Sequence, residues 1–360
     1  MSFSPASSDA TWDHRTRLAA LLADGTVATV SFETGVRNAP TVTSLAATVR
    51  GARQVCWFER ESVAVLCTSP DDPAVDEIVV IDIGTGEQRR VSLLGAQCVR
   101  LAALDGGELL AETADGRLLC IVGDAVSPYT DGPKLPTACP WLWPLPGGRG
   151  LLALNERGTL FLNGEPIATN CTSAAVHSGF IVFTTLSHAV HLLPLSCSAE
   201  TAVALVSASS AAVADATCRA IERGARIVSV VPHDLLLVLE MPRGNIEVVA
   251  PRPLVLAAVR EALDRHEYKT AFAHCRRHRI DMNILVDHSP DTFFGDVASF
   301  IAQLGDADSI NLFLSSMRDE DVSVSMYCDA LKALSLNMTN GAAPDAAVAG
   351  KVTRVCDAAC

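Results

Sequence analysis

Residues 108–122 read ELLAETADGRLLCIV, and the fold turns on this stretch. Two apolar runs of strand length, Glu108–Ala114 and Arg117–Val122, meet at Asp115-Gly116. Glycine reaches positive φ without steric cost, so Asp-Gly between two such runs signals a β-hairpin. The unit recurs. Leu18–Ala23 and Thr26–Phe32 flank Asp24-Gly25, and Gly150–Leu154 and Thr159–Leu162 flank Glu156-Arg157-Gly158. Gly179–Thr184 and His188–Leu195 flank Leu186-Ser187, and Leu235–Met241 and Asn245–Val249 flank Arg243-Gly244. Val63–Thr68 and Ile78–Ile83 add a further pair across a Pro/Asp turn. With that pair included, the turns recur about every 44 residues. Four short strands per unit at this period are the mark of a β-propeller. The Gly-His and Trp-Asp dipeptides of a strict WD40 repeat are missing, so the blades are divergent WD40-like ones. A β-sandwich is the competing arrangement of the same hairpins.

Two segments interrupt the pattern. Ser196–Arg223 is rich in Ala and Ser and reads as a loop insertion with some helix. Thr137–Gly150 sets Trp141 and Trp143 among Pro140, Pro144 and Pro146. It reads as an extended strand entering a core, with a peptide-binding surface as the other option.

The period changes near Pro251. Val255, Val259, Ala262 and Leu263 fall at i, i+4, i+7 and i+8, which places them on one face of a helix beginning after Pro253. Tyr268–Arg279 reads as a second helix with Ala271, Phe272 and Cys275 on its apolar face. Ser289-Pro290 opens a third, in which Phe293, Val297, Phe300, Ile301 and Leu304 recur until Gly305 stops it. Ile310, Phe313, Leu314 and Met317 mark a fourth helix, and Val322–Leu334 a fifth. Short amphipathic helices with brief turns cannot bury their faces in isolated pairs, so they imply an α-helical solenoid of α-hairpin repeats. The expected organisation is a β-propeller over 1–250, the start of an α-solenoid over 251–336, and a weakly structured tail over 337–360.

Composition narrows the function. Of 360 residues, 49% are apolar, which excludes a disordered chain. A net charge of -13 argues against a wholesale nucleic-acid coat. The 12 cysteines form no C-x-x-C pair and mostly sit in apolar runs, as buried, reduced thiols of an intracellular protein do. The start MSFSPASSDATWDH lacks the basic and apolar regions of a secretory signal. Apolar runs such as Leu235–Leu239 fall far short of the ~18–20 residues that span a bilayer, so no membrane association is expected. The sequons at Asn170 and Asn337 read as chance matches.

No catalytic or cofactor motif emerges. Gly84-Thr85-Gly86 lacks the Lys-Ser/Thr of a phosphate loop and reads as a turn. His274 and His278 have metal-compatible spacing, but no third ligand accompanies them and the neighbouring arginines repel a cation. Cys356 and Cys360 have no partner pair. Asp319-Glu320-Asp321 reads as the acidic first turn of the next helix. One electrostatic feature is local. Residues 274–279 read HCRRHR and place Arg276, Arg277 and Arg279 together in an acidic chain. A solvated helix face, contact with an acidic partner and RNA contact all fit that cluster.

Residues 219–247, RAIERGARIVSVVPHDLLLVLEMPRGNIE, resemble the end of the second propeller in the Elongator complex protein 1 (IKAP) family. The sharpest part is Met241-Pro242-Arg243-Gly244-Asn245-Ile246-Glu247. The resemblance continues through Tyr268-Lys269-Thr270-Ala271-Phe272, Arg279-Ile280-Asp281-Met282-Asn283, Asp287-His288-Ser289-Pro290, Asn311-Leu312-Phe313-Leu314 and Glu320-Asp321-Val322, to Met326-Tyr327. It implies a non-catalytic scaffold subunit of Elongator, the complex that modifies the wobble uridine of tRNA. The implied partners are a catalytic radical-SAM/acetyltransferase subunit and a second propeller subunit, in the cytoplasm and also the nucleus. It further implies that this chain is a piece, lacking the homodimerisation region and the basic tRNA-binding stretch, so that tRNA contact is indirect or weak. Between five and six blades fit in 250 residues, and a seven-bladed ring short of strands would expose a sheet edge. A propeller–solenoid coat or trafficking scaffold, and a propeller enzyme with residues at its channel, are the readings that compete with this one.

Overall fold

The computed structural model describes residues 10–12, 17–31, 41–59, 61–93, 95–104, 106–130, 132–148, 150–207, 217–230, 235–326 and 350–359. They divide into two compact units, Met1–Cys171 with Ser198–Glu200, and Thr172–Cys197 with Thr201–Cys360. The first unit holds four sheets. They are β1–β4 (Ala10–Trp12, Arg17–Leu21, Thr26–Ser31, Thr41–Thr48), β5–β8 (Ala52–Glu59, Ser62–Thr68, Asp76–Asp82, Gln88–Ser92), β9–β12 (Cys98–Leu104, Glu108–Thr113, Leu118–Val122, Ala125–Pro128) and β13–β16 (Trp141–Leu145, Gly150–Leu154, Leu160–Leu162, Glu165–Ala168). Each is a four-stranded antiparallel meander, the form of a propeller blade.

Strand β6 shows why these strands read as unbroken apolar runs. Val63, Val65 and Cys67 pack with Ala19, Leu21 and Val27 of the sheet before. Ala64 and Leu66, on the other face, pack with Leu101, Leu109 and Ile121 of the sheet after. A sheet buried on both faces needs apolar side chains at every position, so the polar alternation of a half-exposed strand disappears. Polar side chains then fasten sheet to sheet. Gln54, 5% exposed, donates through Nε2 to the Leu101 carbonyl and accepts the Leu101 N–H through Oε1, both at 2.8 Å. Asp76 accepts the Cys98 N–H at 2.7 Å and pairs with Arg53. Glu112 accepts the Cys139 N–H at 2.7 Å.

The turns follow one design. Gly25, Gly116, Gly158 and Gly244 all have positive φ, and each donates its N–H to the carbonyl three residues back, in Leu22, Thr113, Asn155 and Met241. Each lies between the second and third strand of its sheet. Where the sequence pointed to Ser187, the left-handed residue is His188, at φ 61°. No glycine is needed at this turn because an imidazole tolerates this region better than most side chains do. Trp141 and Trp143 belong to strand β13, with Leu142 and Leu145 turned into the core.

The second unit begins with β17–β20 (Cys171–Val176, Phe180–Thr185, Ala189–Pro194, Cys218–Ala220), with helix α1 (Ala199–Ser207) preceding β20. This helix lies in the segment read as an insertion. The next sheet, β21–β23 (Arg226–Val230, Leu237–Glu240, Ile246–Val249), has three strands. Val182, Val190 and Leu192 pack on Leu237, Leu239 and Met241. Ser173 Oγ accepts the Ile227 N–H at 2.8 Å, and Thr172 donates to the Ala225 carbonyl at 2.8 Å. On the opposite face of the three-stranded sheet, Val228, Ile246 and Val248 are each more than half exposed.

Helices follow: α2 (Arg252–Asp264), α3 (Tyr268–His278), α4 (Ile284–Asp287), α5 (Pro290–Gly295), α6 (Val297–Leu304), α7 (Ala307–Ser316), α8 (Ser323–Met326) and α9 (Lys351–Ala359). The first starts at Arg252, with Pro251 as its N-cap and Pro253 inside the first turn, two residues earlier than expected. The long third helix of the sequence reading is two, α5 and α6. Gly295 weakens the helix and Asp296 leaves it at φ −123°, while the apolar spacing runs straight across the break. The fifth is a helix over Ser323–Met326, with residues 327–334 of the expected span lying outside the described residues. Asp319 and Asp321 sit ahead of α8 rather than in it, accepting the N–H groups of Val352 and Ser323.

The tail read as weakly structured contains α9. Lys351, 4% exposed, reaches both carboxylate oxygens of Asp287, at 2.8 and 3.0 Å, and the Glu320 carbonyl at 2.6 Å. Val355 enters the helical core, and the Arg354 guanidinium lies 4.1 Å from the centre of the Phe294 ring. A buried lysine anchor is invisible to hydropathy patterns, which count lysine as solvent-facing. The ten described cysteines are free, and burial pushes the thiols of Cys98, Cys139, Cys171 and Cys275 up to about 12.

Gly158 tests the turn design. A Cβ there would lie 2.8 Å from the Cys171 carbonyl oxygen, whereas at Gly86, also at positive φ, it would meet nothing. Gly86→Ala should cost about 1 kcal/mol in urea unfolding, and Gly158→Ala clearly more. Glu112 gives a pH test. Burial raises its carboxyl from 4.5 to about 7, so its stabilising contribution is full below pH 4.5 and is lost as pH rises through 7. Glu112→Gln keeps the acceptor for Cys139 and removes the titration. Across that window the variant should gain on the parent by up to about 1.4 kcal/mol per pH unit.

Candidate functional site

Two groups of residues stand out in the sequence, and the structure gives them different places. Met241, Pro242, Arg243, Gly244, Asn245 and Glu247 form the β22–β23 turn. Met241 is 3% exposed in the core between the sheets. Its N–H donates to the Asn245 carbonyl at 2.9 Å, and the Gly244 N–H returns to the Met241 carbonyl at 2.8 Å. Arg243 pairs with Glu222 at 3.0 Å on the surface, and Asn245 donates to Glu247. This stretch serves as a hairpin turn anchored by one buried side chain.

Arg276 and Arg277 occupy the last turn of α3, and Arg279 is its left-handed C-cap at φ 56°. The helix is amphipathic, with Tyr268, Ala271, Phe272 and Cys275 buried. Behind it, the Tyr268, Phe293, Phe300 and Phe313 rings pack edge to face and tilted, with centroids 4.8–6.1 Å apart. Cations at a helix C-terminus complement its dipole, and that accounts for part of the cluster. The remainder is a groove of about 530 Å³ between α3 and the α6–α7 junction. Lys269, Phe272, Ala273, Arg276 and Arg277 line one wall, and Leu304, Asp306 and Ser309 the other. Asp306 caps α7 by accepting the Ser309 N–H at 2.7 Å. That bond, reinforced by the Arg276 charge, holds its carboxyl below the ordinary value.

The sequence picked out Arg276 and Arg277 by charge, and the structure brings both to this groove. It does not bring Arg279, which caps the helix. Lys269 went unnoticed as a site residue, although it lies i, i+4, i+7 and i+8 from Ala273, Arg276 and Arg277. His274 and His278 stack with ring centres 6.3 Å apart, and no group of three metal-ligating side chains forms among the described residues.

Blade-type sheets followed by packed short helices define a β-propeller joined to an α-helical solenoid. Two family models match in that order, the ELP1 N-terminal second beta-propeller over residues 5–228 and the ELP1 alpha-solenoid over residues 252–360. The chain belongs to the Elongator complex protein 1 family. It is 37% identical over 292 residues to a putative elongator complex protein 1 of Xenopus laevis, covering 78% of this chain and 24% of that protein. Elongator complex protein 1 of Oryctolagus cuniculus is 32% identical over 292 residues, 75% of this chain and 22% of the relative. That of Saccharomyces cerevisiae is 38% identical over 178 residues, 49% of this chain and 13% of the relative. The chain thus spans about a quarter or less of the length of these relatives. Residues 241–247 fall between the two matched regions.

If the Met241–Glu247 stretch acts through packing, its members should separate by burial. Met241→Ala should cost about 2–4 kcal/mol in denaturant unfolding. Arg243→Ala, which breaks only an exposed pair, should leave the midpoint nearly unchanged.

Proposed function

We propose that this chain is a non-catalytic scaffold segment of the Elongator complex, a propeller part over 1–250 and a solenoid start over 251–336. In this reading it supports wobble-uridine modification of tRNA, in the cytoplasm, by positioning the catalytic radical-SAM/acetyltransferase subunit and a second propeller subunit. Its contact with tRNA is indirect.

The observation that carries the reading is the succession of two family matches, propeller then solenoid, in a chain whose relatives are named for a subunit of that complex. The use of the buried ionisable groups supports it. Glu112 holds one sheet to the next, and Asp287 holds α9 through Lys351. These groups act as fasteners, as a rigid platform requires.

The test is purification of the tagged chain from cells under conditions that preserve complexes. Recovery of Elongator's catalytic subunit is expected. Recovery of vesicle-coat subunits in its place, or of no Elongator subunit, would overturn the assignment.

A further inference from the structure

We propose that the groove between α3 and the α6–α7 junction is a docking site for an acidic amphipathic segment of a partner protein. The inference stands on the groove and is independent of the Elongator reading.

Lys269, Phe272, Ala273, Arg276 and Arg277 fall at i, i+3, i+4, i+7 and i+8, so a single stripe of α3 faces the groove. The stripe runs about 12 Å along the helix axis, two turns' worth. Its composition is ordered. Cations stand at both ends, and Phe272 with the small Ala273 lies between them, opposite Leu304. An apolar floor between cationic ends is the complement of a helix with one apolar face and acidic flanks. The charge also fits. Three cations line the groove against one carboxylate, Asp306, in a chain of net charge -13. Lys269, Arg276 and Arg277 are exposed, and among the described residues no salt bridge draws any of the three away from the groove. The aromatic cluster behind α3 keeps the wall preformed, so little ordering is lost on binding.

RNA is the less suitable occupant. Phosphate-driven binding gains its strength from many neutralised phosphates, commonly 6–10, and this groove offers three cations. Phe272 is 5% exposed, so its ring is a floor and not a platform for base stacking.

The test uses the full chain and three labelled probes. The first is a short peptide of Leu and Glu, with Leu at i, i+3, i+4 and i+7 and Glu elsewhere. The second replaces Glu by Gln, and the third is an oligouridylate. At low salt, where such contacts are strongest, the acidic peptide should bind saturably. The Gln peptide and the oligouridylate should bind more weakly by at least about tenfold. Arg276→Glu with Arg277→Glu should weaken the acidic peptide by on the order of tenfold. That variant should bind a Lys-for-Glu peptide better than the parent does, which shows the groove still formed. Lys269→Glu with Arg277→Glu, which leaves the Arg276 charge acting on Asp306, should behave alike. The proposal is overturned by any of three results: no saturable binding of the acidic peptide, unchanged binding by both variants, or oligouridylate binding as tight as the peptide and competing with it.

Discussion

A sheet buried on both faces has no solvent to satisfy a stray polar group, and the first unit is organised around that constraint. Apolar side chains on β6 alternate between the neighbour before and the neighbour after, so every position is committed. Polar side chains survive inside only by binding main-chain groups of the adjoining sheet, as Gln54 does at Leu101 and Glu112 at Cys139. Such bonds are demanding in geometry and costly to leave half-made. They fix which sheet neighbours which, and they hold the angle between them. Dispersion contacts alone would allow the faces to slide.

The second unit uses the same device among helices. Asn283, fully buried, donates to Asp281 and to the Ser316 carbonyl and accepts the Arg318 N–H, tying α4 to the end of α7. Asp287 gathers the Val322 N–H and the Lys351 ammonium. Short helices bury too little surface to settle their packing by themselves. These polar knots supply the missing definition.

What was legible in the sequence follows from which forces are local. Asp24-Gly25, Asp115-Gly116 and Arg243-Gly244 announce their turns because positive φ is a property of single residues. The family resemblance around Met241–Glu247 was legible because a turn and its anchor lie within seven residues. The fasteners were not, since Gln54 and Glu112 look like ordinary polar positions until the adjoining sheet is present. The groove was half legible. Arg276 and Arg277 stood out by charge, while Leu304 and Asp306 join them only through the packing of α6 and α7 on α3. The tail helix was missed for a similar reason. Its anchor, Lys351, gains its meaning from Asp287, 64 residues away.

The three-stranded sheet carries a practical consequence. Among the described residues the outer edge of β23 pairs with no further strand, and Ile246 and Val248 on it stand more than half exposed. Backbone donors and acceptors in a row, next to β-branched side chains, form a template for another strand. Self-association through that edge would depend on β23 itself and not on how tightly the cores pack. Substitutions that tighten the cores would raise the melting temperature and leave clumping untouched, whereas a lysine on β23 would improve handling with no gain in stability.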